Sequence, residues 1–184
     1  MTTDIRDLFF DANHPTLGAS CARATTAEEA RFRIQYPNSR TRASRIFALD
    51  GGAAEAMYGI TEDPWNGAHF LTLANATPVD PEATDAKDLP LAHPDGTQAA
   101  LGDELEGADV VVLLATNGDN EGAAEVIARE AYHRKIMCAG LALAKGASDR
   151  SVDRAVNSMR RFATVLVVAR DDDFIPAMLT ALRA

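Results

Sequence analysis

The sequence predicts an α/β fold: a doubly wound, mostly parallel sheet of five to six strands in a three-layer α/β/α arrangement. From residue 45 onward, short aliphatic runs alternate with helix-forming stretches. Two of the runs, Val110-Val111-Val112-Leu113-Leu114 and Val165-Leu166-Val167-Val168, are continuous instead of alternating with polar residues. Such runs belong to strands covered on both faces, the condition of parallel strands joined by right-handed crossover helices.

Residues 1–44 read as a separate helical extension. A short helix over Asp4 to Phe10 is broken by Asn13-His14-Pro15; a second starts at the capping-box spacing Thr26-Ala27-Glu28-Glu29 and stops at Pro37. Arg31, Arg33, Arg40, Arg42 and Arg45 make this end basic. They suit an exposed connector or a docking arm for a protein partner.

Residues 45–184 read as the Rossmann-like domain. Its expected strands are Arg45–Leu49, His69–Ala74, Asp109–Ala115, Ile136–Ala144 and Ala163–Ala169. The helices between them are Gly52–Tyr58, Gln98–Glu106, Glu121–Arg134 and Ser151–Arg161, and a further one starts near Phe174. The polar, proline-rich stretch from Thr77 to Gly96 reads as a long loop, with a short edge strand at Leu89–Ala92.

At 184 residues the chain suits one ordinary domain. Eighteen basic against 27 acidic residues give a net charge of −9, which argues against a duplex nucleic-acid surface. The first ten residues lack the pattern of a signal peptide and no apolar run is long enough to span a membrane, so a cytoplasmic protein is expected. Cys21 and Cys138 read as free thiols.

Ligands of doubly wound sheets sit beyond the carboxyl ends of the strands. The segments that meet there are Asp50–Ala54, Asn75–Val79, Thr116–Gly122, Lys145–Asp149 and Arg170–Asp173. The first has the layout of a phosphate turn, with strand, glycines and helix start, but Asp50 stands at its mouth. No Gly-x-Gly-x-x-Gly, Walker or Gly-x-Ser-x-Gly pattern occurs. His133 reads as a helix C-terminal residue, His69 as the start of a strand and His93 as a solvated loop residue near Asp95, while Trp65 covers the first helix from a loop.

The order of these parts resembles the GTP-binding domain of FtsZ and the tubulins. The resemblance spans residues 45 to about 182. It rests on Ile46–Ala54 as the first turn, Glu106-Gly107-Ala108-Asp109-Val110-Val111-Val112 as the approach to the signature loop, and Gly122-Ala123-Ala124-Glu125-Val126-Ile127-Ala128 as the helix after it. Met159–Val168 followed by Arg170-Asp171-Asp172 matches near the end. It implies nucleotide contacts at Gly51, Gly52, Ala53, Asn75, Thr116, Asn117, Gly118 and Gly122, with GTP or GDP and Mg²⁺ as the cofactors to test, and self-association or a protein partner.

The chain departs from that family at both loops. Asp50 precedes only two glycines, and Thr116-Asn117-Gly118-Asp119-Asn120-Glu121-Gly122 stands where the family has a run of glycines and threonines. Either a divalent cation bridges Asp50, Asp119 or Glu121 to phosphate, or these carboxylates turn to solvent while the helix over 121–134 presents its free amides and Glu121 complements the helix dipole. The sequence also stops before the segment that completes hydrolysis in the family, so no self-stimulated GTPase is expected, and no catalytic or metal-binding residue is assigned. The expectation is a non-catalytic binding or assembly module with altered nucleotide loops. The alternative is an enzyme or sensor that binds a nucleotide or small ligand on the same rim.

Overall fold

The computed structural model describes residues 41–75, 77–144, 148–170 and 174–183. The expectations for residues 1–40, including Cys21 and both early helices, and for rim residues 145–147 and 171–173 fall outside these residues.

Among the described residues seven strands form a single sheet in the order β4-β3-β2-β1-β5-β6-β7. Five of them are parallel: β1 (Ser44–Ala48), β2 (Ala68–Leu73), β5 (Val110–Ala115), β6 (Met137–Leu143) and β7 (Val165–Ala169). Counted by themselves they run 2-1-3-4-5, one of the two common doubly wound orders. The expected fold class is therefore present, with seven strands in place of five to six.

The added strands form a hairpin on the β2 edge. β3 (Leu91–Ala92) pairs antiparallel with β2, and β4 (Gln98–Ala99) with β3. Its turn is built by His93-Pro94-Asp95-Gly96-Thr97: Asp95 Oδ1 accepts from the Thr97 amide at 2.8 Å, and Gly96 takes a positive φ of 85°. That reversal corrects the helix expected over Gln98–Glu106. Gln98 and Ala99 are strand, and only α2 (Leu101–Glu104) is helical.

The remaining helices are α1 (Gly51–Tyr58), α3 (Glu121–His133), α4 (Asp149–Arg160) and α5 (Phe174–Leu182). Successive strand residues point to opposite faces, which splits the core in two. Ile46 and Ala48 join Val112, Leu114 and Leu141 under Ala53 and Met57 of α1 and Ile175 and Leu179 of α5. Phe47 joins Leu71, Val111 and Leu113 under Val126, Ile127 and Ala131 of α3 and Ala155 and Met159 of α4. The result is three layers.

β1 is followed by a helix on one face and β5 by a helix on the other. The crevice where the winding reverses thus lies between the carboxyl ends of β1 and β5. Among the described residues no helix is long and apolar enough to cross a membrane.

Candidate functional site at the carboxyl-end rim

Asp50 is the N-cap of α1, in extended conformation, with Oδ1 accepting from the Ala53 amide at 2.9 Å. The same oxygen accepts from Thr116 Oγ1 at 2.6 Å. Its other oxygen reaches across the crevice and accepts from the amides of Thr116 at 2.8 Å and Asn117 at 3.0 Å. Four donors therefore converge on one carboxylate, an arrangement typical of a bound oxyanion. Here the oxyanion belongs to the chain.

A second stitch lies beside the first. Asn120 donates through Nδ2 to the Leu49 carbonyl at 2.9 Å, again joining the β5 loop to the end of β1. Its Oδ1 is buried and has no hydrogen-bond partner among the described residues. Asn120 also lines a cavity of about 120 Å³ over the ends of β1 and β2, together with Ala48, Leu49, Asp50, Gly51, Ala54, Thr72, Leu73 and Asn75. A broader cavity of about 540 Å³, bordered by Tyr132, Met137 and Thr164, lies at the amino ends of β6 and β7. The smaller one is at the switch point.

The acidic residues of the β5 loop turn toward α4. Asp119 pairs with Arg154 at 3.1 Å; Arg161 lies 2.7 Å from Glu121 and 3.4 Å from Glu125. Asp50, Asp119 and Glu121 thus have three separate sets of partners. Among the described residues no group of three or more His, Cys, Asp or Glu could hold a metal ion.

No protein-family model matches the sequence, and no curated protein matches it. Among solved structures, NtrX from Brucella abortus in complex with ADP is similar at 14% identity and a TM-score of 0.41. The similarity covers 78% of this chain and 27% of that one. ADP is a ligand of that protein, and a likeness at this level transfers nothing to this chain.

The residues expected at the rim divide into three groups. Gly51 and Asn75 line the cavity, and a side chain added at Gly51 would meet open space. Ala53, Thr116 and Asn117 donate to Asp50, while Gly52 packs so closely on Thr116 that a Cβ there would lie 2.6 Å from Oγ1. Gly118 and Gly122 serve packing. A Cβ on Gly118 would be 2.7 Å from the Arg154 backbone, and one on Gly122 would run into the Val79 carbonyl.

Sequence reasoning missed the roles of Asp50 and Asn120. The N-cap position of Asp50 was legible from Asp-Gly-Gly before a helix, but its partners in the β5 loop lie 66 and 67 residues away.

The opposite rim holds a contrasting carboxylate. Glu104, at the end of α2, has Oε2 2.8 Å from His69 Nδ1 and 3.4 Å from Arg45 Nε, and Oε1 3.2 Å from His93 Nε2. Arg45 is only 7% exposed, which corrects its place in an exposed basic connector. Burial pushes its guanidinium below the ordinary value, while Glu104 and then Asp109 hold it up. His93, read as a solvated loop residue, instead contacts Glu104 through its ring. Trp65 donates to the Ile60 carbonyl at 2.8 Å and meets Phe70 edge to face.

Proposed function

We propose that this domain is a non-catalytic binding module, built in the segment order of the FtsZ and tubulin GTP-binding domains, whose phosphate cradle is occupied by its own Asp50 carboxylate. The observation that carries the reading is the set of four donors already committed to that side chain. A phosphate entering there would displace the carboxylate or lie beside it. Two like charges 4 Å apart repel by about 4 kcal/mol at an effective dielectric constant of 20, more than one phosphate contact returns. Nucleotide binding in the family's manner is therefore disfavoured, and the domain acts in self-association or with a protein partner.

The test is a thermal-shift and calorimetric titration of the full chain with GTP, GDP, ATP and NAD, with and without Mg²⁺. The expected result is no saturable effect at millimolar concentration. Saturable stabilisation by a guanine nucleotide, abolished by Gly51→Asp, would overturn the reading. Sedimentation of the full chain at low and high salt tests self-association, which a concentration-independent monomer at both salts would remove, leaving a different protein partner.

A second reading is favoured by the small cavity beside Asp50: the same rim serves as a sensor site for a ligand much smaller than a nucleotide. Its volume of about 120 Å³ falls well below the roughly 300–1,000 Å³ of ordinary cofactor pockets.

A further inference from the structure

The two edges of the sheet are finished differently. On one side β4 is only Gln98–Ala99, too short a strand to template much further pairing. On the other, β7 pairs with β6 alone among the described residues, and Val165-Leu166-Val167-Val168-Ala169 carries no charge or proline that would guard an edge. A continuous aliphatic run of this kind predicts cover on both faces. Instead Val165 is 48% exposed and Val168 50%, one on each face of the sheet.

α4 flanks this edge. It packs on β6 and β7, with α3 beside it over β5 and β6. Arg154 and Arg161 turn toward α3, where Arg154 pairs with Asp119 in the preceding loop and Arg161 with Glu121 and Glu125. On the opposite flank, toward the β7 edge, Asp153, Val156 and Arg160 form a stripe at i, i+3 and i+7. Asp153 and Arg160 are exposed, and neither has an ion-pair partner among the described residues.

Resting on the self-association reading, we infer that the β7 edge is the contact between two copies of this chain, each β7 pairing antiparallel with the other across a two-fold axis. An identical strand paired antiparallel about Val167 is self-complementary, as a two-fold contact must be. α4 straddles β6 and β7, so its axis lies about half a strand spacing inside β7. With the two β7 strands about 4.8 Å apart, the two α4 helices then lie about 10 Å apart, which is contact distance for packed helices. They run antiparallel, so Asp153 of each copy meets Arg160 of the other, with the two Val156 side chains between. A second copy thus supplies both the backbone partners that β7 lacks and the opposite charges that the stripe lacks. A foreign strand supplies only the first.

Sedimentation equilibrium of the full chain over a concentration series is the test. A monomer–dimer equilibrium is expected, with amide exchange across 165–169 slowing as concentration rises. Val168→Lys charges a half-exposed edge position and should weaken the dimer at least tenfold. Asp153→Arg and Arg160→Asp should each do the same, by setting like charges against each other at both ends of the helix pair. The double variant Asp153→Arg/Arg160→Asp restores opposite charges across the axis and should recover most of the lost affinity.

Loss in the single variants with no recovery in the double would overturn the inference and assign the edge to a different strand. A dimer indifferent to Val168→Lys would also overturn it, while leaving self-association in place. A monomer at every concentration would overturn the self-association reading together with this one.

Discussion

The two rims of the sheet each centre on one carboxylate, and they stabilise it by opposite means. Asp50 at the carboxyl ends is held by three backbone amides and a hydroxyl, all neutral dipoles. Glu104 at the amino ends is held by a guanidinium and two imidazoles. Amides come with the strand-to-helix turns of a doubly wound fold, so the carboxyl rim supplies donors wherever a loop ends a strand. The amino rim has no such supply. Its carboxylate depends on long side chains from β1, β2 and the β3–β4 hairpin, one of which, His69, is about half exposed at 51%.

The difference is sharpest when each carboxylate is removed. Asp50→Ala should cost about 3–4 kcal/mol, because it deletes a helix cap and strands the Thr116 and Asn117 donors; urea denaturation measures it. A loss under about 1 kcal/mol would mean that water replaces the carboxylate freely. Gly122→Ala, on the same rim, should cost about 2–3 kcal/mol by driving the Val79 segment off α3.

Glu104→Gln should cost about 2 kcal/mol, since Arg45 is buried and loses its nearest charged partner. The cost should shrink as salt is raised from 0.05 to 0.5 M, roughly, because the exposed side of the cluster is screened. The Asp50→Ala cost should change far less with salt. Equal salt dependence of the two variants would erase the distinction between dipolar and ionic support.

Cys138, near the amino end of β6, gives a pH arm. Burial pushes its thiol up to about 12 from an ordinary 9.0. The unfolded chain therefore ionises first, and the stability from keeping the thiol neutral is full below pH 9. It is lost as pH rises toward 12, by up to about 1.4 kcal/mol per unit. Cys138→Ala should flatten that slope, and a slope unchanged by the substitution would assign it to other groups. The smallest effect is expected for Arg161→Ala, about 0.5 kcal/mol, since its pairs with Glu121 and Glu125 are exposed.

The parallel strands were legible because buried aliphatic runs announce themselves by composition alone. All five were expected within one or two residues of their ends. The edge strand expected at Leu89–Ala92 holds β3, but its partner β4 was not expected, since a two-residue strand carries no periodicity, although Pro94-Asp95-Gly96 is a turn signal that could have split Gln98 from the helix beyond it. At the site, local chemistry was readable and pairing was not. A capping aspartate before two glycines is visible in the sequence; that it also binds a loop 66 residues on depends on strand order. Arg45 and Glu104, 59 residues apart, were separated by the same barrier.

The Asp50 bridge has a consequence for motion. By tying the first turn of α1 to the loop after β5, it makes two segments that could open independently into one mechanical body. Amide hydrogens of Thr116 and Asn117 should then exchange with solvent on the slow timescale of strand interiors. A rim braced in this way has little freedom to fold over a visitor. Whatever it recognises must fit a shape that already exists, and selectivity falls to the outline of the opening instead of to closure around a guest.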